Sequence, residues 1–178
     1  MLLRLLPVLL LLFGFDSFAR CPSSSSFDQA VLDQIFTLRD AAHLGVLENE
    51  MRLNAVAQRV AAANLDREER LEHVDAEGKG LTIRTKEELY SGIAGEIVSV
   101  VYLPCEEAPF NPSSNERGKE LGLEFQNAIR NSPSHYNGLM ARTGVLWNQF
   151  GYSIRSKQVF VGKSCMQKYS LGLVVGFQ

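Results

Sequence analysis

The chain has almost no excess of charge of either sign. Acidic and basic residues are interspersed and leave a net charge of -2, which excludes the electrostatic hold on phosphate that a nucleic-acid partner requires. Internal repeats, low-complexity tracts and linker-like stretches are missing too, and 178 residues suit one domain with room for a real core. Long apolar runs are confined to Leu5 through Phe15, about half of the ~20 residues needed to cross a bilayer as a helix. No permanent membrane span is therefore expected in the mature chain. Activated nucleophiles are lacking as well. Cys21, Cys105 and Cys165 have no adjacent basic group of the needed kind, and Ser132 precedes a proline at a helix end.

What is present begins with an export signal. Arg4 supplies positive charge ahead of the apolar run, and Ser17, Phe18 and Ala19 offer the small residues of a cleavage site. The expected organisation is a signal peptide over 1–19, a polar leader over 20–26 and a single domain over 27–178, with a secreted or periplasmic destination. The alternative of a lipid-modified Cys21 conflicts with the bulky, charged Arg20 before it. Export would let disulfides persist. Cys105 with Cys165 is the preferred pair, leaving Cys21 on the leader; the alternative is three unpaired thiols acting as small hydrophobes.

Ser26 and Gln29 have capping-box form, and Phe27, Val31, Ile35, Leu38 and Ala42 recur on one helical face, with Asp28, Asp33 and Arg39 facing water. His43 and Gly45 mark the end of that helix. Asn49 is the expected N-cap of a second helix carrying Leu53, Val56, Ala57, Val60, Ala61 and Leu65 on one face. Glu72 to Leu81 reads as a loop, with Asp75 as a turn former. Thr85 and Glu88 suggest a short helical turn through Tyr90, and Ile97 to Leu103 a buried strand or core packing. Pro104 to Ser114 reads as a surface loop. A third long helix is expected from near Ser113 through Leu121, Phe125, Ala128 and Ile129, stopped by Pro133. Phe150 to Arg155, Val159 to Met166 and Leu171 to Phe177 have strand composition and suggest a small antiparallel sheet. Trp147 and Tyr152 are expected to fill core between helix and sheet.

Three polar residues stand beside turn-forming or helix-ending residues, each read as lying on a loop: His73, Glu96 and His135. Two imidazoles and one carboxylate are the ligand set of an open zinc site. The separations are not local, so spacing alone leaves their convergence open. Each also has a plainer role: the histidines as partners of loop backbone, Glu96 as an acceptor for the amides of the Gly92 to Gly95 turn.

The order and context of these residues resemble the CAP superfamily, which comprises the cysteine-rich secretory proteins, venom antigens and plant pathogenesis-related proteins, in its compact SCP-like form. The resemblance runs from about Val31 to Gln167. It rests on Asn49, Leu53, Ala57 and Gln58; on His73, Val74, Asp75 and Gly78; on Gly95 and Glu96; and on Ser132, Pro133 and His135. It implies an α/β fold of the α-β-α sandwich type, with a small antiparallel sheet between helical layers. It also implies that His73, Glu96 and His135 line a central cleft, with His73 and His135 as ligands where zinc or another divalent metal binds. A lipid, a peptide or an extracellular protein is the implied partner of such a binding module, and a metal-dependent hydrolase or protease using the same three residues is the alternative. The chain departs from the family pattern at Ile97, where asparagine is usual, and at Tyr136, where arginine is common. The fourth cleft residue of larger members has no clear match, and Glu124 is the nearest candidate in sequence.

Overall fold

The computed structural model describes residues 26–68, 70–105, 115–142 and 144–178. The expected signal peptide, its cleavage point, Cys21, the leader up to residue 25 and most of the loop after Pro104 lie outside the described residues.

The described residues build three layers. A four-stranded sheet of order β1-β3-β4-β2 is made by β1 (Glu48–Asn49), β2 (Ile93–Pro104), β3 (Gln149–Val161) and β4 (Ser164–Phe177). On one face lie α2 (Met51–Asp66) and α3 (Leu81–Glu87), and on the other α1 (Ser26–Ala41), α4 (Asn115–Arg130) and α5 (Pro133–Leu139). The expected α/β sandwich is thus found, with one difference: the sheet is mixed, because β1 runs parallel to β3 while the other pairs are antiparallel.

Side-chain alternation along β4 explains why the two faces differ. Tyr169, Leu171, Leu173 and Val175 point into a large core with Val31, Ile35, Leu121, Phe125 and Ile129. The other face carries Ser170, Gly172, Val174 and Gly176. A Cβ on Gly172 would collide with the backbone carbonyl of Ala57, and one on Gly151 of β3 with the backbone at Leu53. Glycine at these positions lets α2 lie directly on the sheet. The same device joins α1 to α4, where a Cβ on Gly118 would come within 2.6 Å of the Phe27 carbonyl and one on Gly122 within 2.7 Å of Gln34 Cβ.

Several expectations need correcting. Asn49 does not cap α2: it is in β1, and Glu50 is the N-cap, accepting from the Arg52 amide. Arg39 does not face water. It is buried, and its guanidinium donates to the carbonyls of Leu139 at 2.7 Å and Gly45 at 3.0 Å, which offsets the loss of solvent. The turn assigned to Thr85 is the middle of α3, which starts four residues earlier at Leu81. Val159 to Met166 is not one strand but the tip of a hairpin, turning at Gly162, whose φ of 62° lies in the left-handed region.

Cys105 and Cys165 are joined, with Cα atoms 5.3 Å apart, at the end of the β2–β4 ladder. No helix among the described residues is long and apolar enough to cross a membrane.

Candidate functional site

The cluster forms beside β2, an edge strand of the sheet. Glu96 is not on a loop; it is the fourth residue of β2, paired in register with Val174 and so directed to the α2 side. His135 is not on a loop either. Pro133 ends nothing directly, since α4 stops at Arg130; it opens α5, where its missing N–H is tolerated, and His135 lies in the first turn. His73 alone keeps its expected loop.

That loop is held from below. Asp75, buried beneath it, accepts from the amides of Glu77 at 3.0 Å and Lys79 at 2.8 Å and pairs with Arg59 of α2. Burial pushes the Asp75 carboxyl up, but the Lys79 amide, Arg59 and the Glu77 amide outweigh it and hold the group below the usual carboxylate range. Asn64 brackets Glu72, accepting from its amide at 2.9 Å and donating to its carbonyl at 2.8 Å. The turn-forming role expected of Asp75 is what the backbone displays.

The three expected residues come together. His73 Nδ1 lies 3.1 Å from Glu96 Oε2, and His73 Nε2 lies 3.4 Å from His135 Nε2. Glu96 is 3% exposed at its side chain and His73 is 53% exposed, so the carboxylate forms the floor and the imidazole the rim. A carboxylate accepting at Nδ1 selects the tautomer in which His73 donates there and presents a lone pair at Nε2, when that ring is neutral. Burial first, and then the neighbouring His73, lower the pKa of His135, while Glu96 opposes them.

One residue of the cluster has no counterpart in the sequence reading. Arg84 of α3, 0% exposed, donates through Nη2 to Glu96 Oε1 at 2.7 Å. The same guanidinium donates to the carbonyls of Val56, Lys79 and His73 at 2.9, 3.1 and 3.2 Å. It ties α2, the His73 loop and β2 into one unit. Its sequence neighbours, Ile83 and Thr85, give no sign of this; only the short span between the His73 loop and Glu96 could have raised it.

Glu124 does not join the cluster. It lies on the exposed side of α4, away from the helix face that buries Leu121, Phe125 and Ile129. Nor does Glu96 serve the Gly92 to Gly95 amides; its oxygens are engaged by Arg84 and His73. Trp147 is buried as expected, donating from Nε1 to the Gly138 carbonyl at 2.7 Å and so anchoring α5.

These donors fit a divalent metal in part. Two nitrogens bound to one tetrahedral zinc at about 2.0–2.1 Å would lie roughly 3.3 Å apart, close to the separation of the two Nε2 atoms. Glu96 would then orient His73 from behind rather than bind. Among the described residues, however, no group of three His, Cys, Asp or Glu side chains is placed to hold a metal ion.

No family model and no curated protein matches the chain by sequence. Among solved structures, an outer surface protein from Borrelia burgdorferi is similar, with a TM-score of 0.53 and 19% identity, over 87% of this chain and 96% of that one. The likeness is one of fold.

Proposed function

We propose that the chain is an exported CAP-type binding module, whose cleft of His73, Glu96 and His135 organises the uptake of a lipid, peptide or protein partner outside the cytoplasm. The observation that carries this reading is the ion pair of Arg84 with Glu96. A carboxylate already engaged by a buried guanidinium and by an imidazole is a structural brace, poorly suited to act as metal ligand or as general base on a water. Zinc or another divalent ion fits as a guest of the two Nε2 atoms, with its remaining positions left to water or to the partner. A catalytic zinc generally has three protein ligands, and this cluster offers two.

Export is supported by the N-terminal sequence, by the Cys105–Cys165 bond, which suits an oxidising compartment, and by the shared fold with a protein named for the outer surface. The test is to extract the purified protein with organic solvent and analyse the extract by mass spectrometry, while assaying zinc-dependent cleavage of a mixed peptide substrate. A lipid retained by the parent and lost from His135→Ala would support a lipid-binding module. Cleavage that requires zinc and disappears in His73→Ala would replace this reading with the hydrolase.

A further inference from the structure

The cluster does not account for a second concave site at the far end of the same sheet face. There, beyond the C-terminal end of α2, a cavity of about 230 Å³ is lined by Arg67, Arg70, Lys168, Leu71, Val100 and Tyr102, with Glu68 and Asn64 completing the wall. Three cations face one carboxylate.

Lys168 is the unusual member. It is 3% exposed, yet no carboxylate among the described residues pairs with it. Its ammonium donates to the Arg67 carbonyl and sits 5.9 Å from the centre of the Tyr102 ring. One of its three N–H groups has an acceptor among the described residues, and the ammonium borders the cavity without a paired carboxylate, where an anion would complete its hydrogen bonding. Burial, and then Lys157, lower its pKa, with Asp66 and Glu68 opposing. The two acidic groups that act on it do not pair with it: Asp66, strongly exposed, is engaged by Lys157 at 3.0 Å, and Glu68 stands in the cavity wall without an ion pair to Lys168 among the described residues.

We propose that this cavity binds a small organic carboxylate, its anionic end held by Lys168 and Arg70 and its short apolar or aromatic body laid against Leu71, Val100 and Tyr102. Arg67 is a wall rather than a ligand, because its guanidinium already donates to the carbonyls of Val74 and Asp75 at 3.0 and 3.3 Å. Arg70 is exposed and forms no ion pair with another described residue, and its planar fork matches a carboxylate. Glu68 in the wall favours a single negative charge over a phosphate dianion. The apolar half of the lining favours a body over a bare ion, and the volume limits that body to about one ring.

The experiment is a titration of the purified protein followed by amide chemical shifts, using benzoate, benzamide and inorganic phosphate as probes. Benzoate is expected to shift the amides around Tyr102 and Lys168 saturably, and benzamide and phosphate at least tenfold more weakly. Lys168→Met should raise the benzoate Kd at least tenfold. Because that buried substitution can disturb folding, Arg70→Gln, at an exposed position, should separately raise it several-fold with an otherwise unchanged spectrum. His135→Ala should leave it unaltered, which separates this site from the histidine cleft. Equal binding of benzamide, equal binding of phosphate, or benzoate binding indifferent to Arg70→Gln would each overturn the proposal.

Discussion

Arg84 Nη2 and Glu96 Oε1 meet at 2.7 Å with both side chains shut off from water, so the carboxylate beneath the histidine pair is matched by a guanidinium that no sequence motif announced. Removing one partner of a buried pair leaves the other charge uncompensated, at a cost of about 3–5 kcal/mol. Arg84→Met should therefore lower unfolding free energy by roughly that amount, and more than Glu96→Gln, because three backbone carbonyls lose their donor as well. Denaturant unfolding of both variants measures it. Equal stability of Arg84→Met and the parent would contradict the role given to the pair.

Close approach of α2 to the sheet rests on Gly172 and Gly151. Gly172→Ala should destabilise by about 1–3 kcal/mol, the usual range for forcing an extra carbon into a packed interior. Gly138→Ala is the internal control. Nothing lies within 4 Å of the position a Cβ would take there, and α5 would gain about 0.5–1 kcal/mol from the better helix former. The two substitutions should move the melting temperature in opposite directions.

Acid should weaken the fold in two separate windows. A histidine whose folded pKa is depressed resists protonation in the native state, so the unfolded chain binds more protons and stability falls with pH. For His135 the decline begins as pH drops through the unfolded value of about 6.5 and ends below the lowered folded value. Asp75 is also depressed in the native state, so its contribution is present above about pH 3.9 and is lost as pH falls through its folded value. Unfolding free energies measured from pH 8 to 2 should show both declines, and His135→Gln should remove only the upper one.

The Cys105–Cys165 bond closes a loop with a sequence separation of 60, for which chain entropy gives roughly 4 kcal/mol of stabilisation. Reduction, or paired replacement by serine, should lower the unfolding midpoint accordingly while leaving the β2–β4 ladder in place. Chemical denaturation with and without reductant measures the difference.

Local periodicity was enough to find α1, α2 and α4, because each buries one face against the core and the pattern of Val31, Ile35 and Leu38, or of Leu53, Val56 and Val60, records it directly. Strand ends were less legible. The hairpin at Gly162 interrupts a run of strand-like composition without interrupting the pairing on either side, so composition alone split it in the wrong place. His73, Glu96 and His135 could be singled out because each stands near a turn or a helix boundary, yet their convergence depends on tertiary contacts that no spacing encodes. Arg39 and Arg84 were out of reach for the same reason. An arginine reads as a surface residue until the carbonyls that satisfy it are known, and those carbonyls come from Leu139, Gly45, Val56 and His73, elements separate from the helix that carries each arginine.

The most direct test of the account is a calorimetric titration of zinc into the purified protein and into His73→Ala, His135→Ala and Glu96→Gln. With the two Nε2 atoms 3.4 Å apart and Glu96 behind His73, one zinc should bind the parent. Both histidine variants should lose it, and Glu96→Gln should keep it with affinity reduced by about 10–100-fold, as for the loss of an orienting partner. Undiminished binding in either histidine variant would contradict the convergence. Loss in Glu96→Gln as complete as in the histidine variants would make Glu96 a direct ligand and favour the hydrolase.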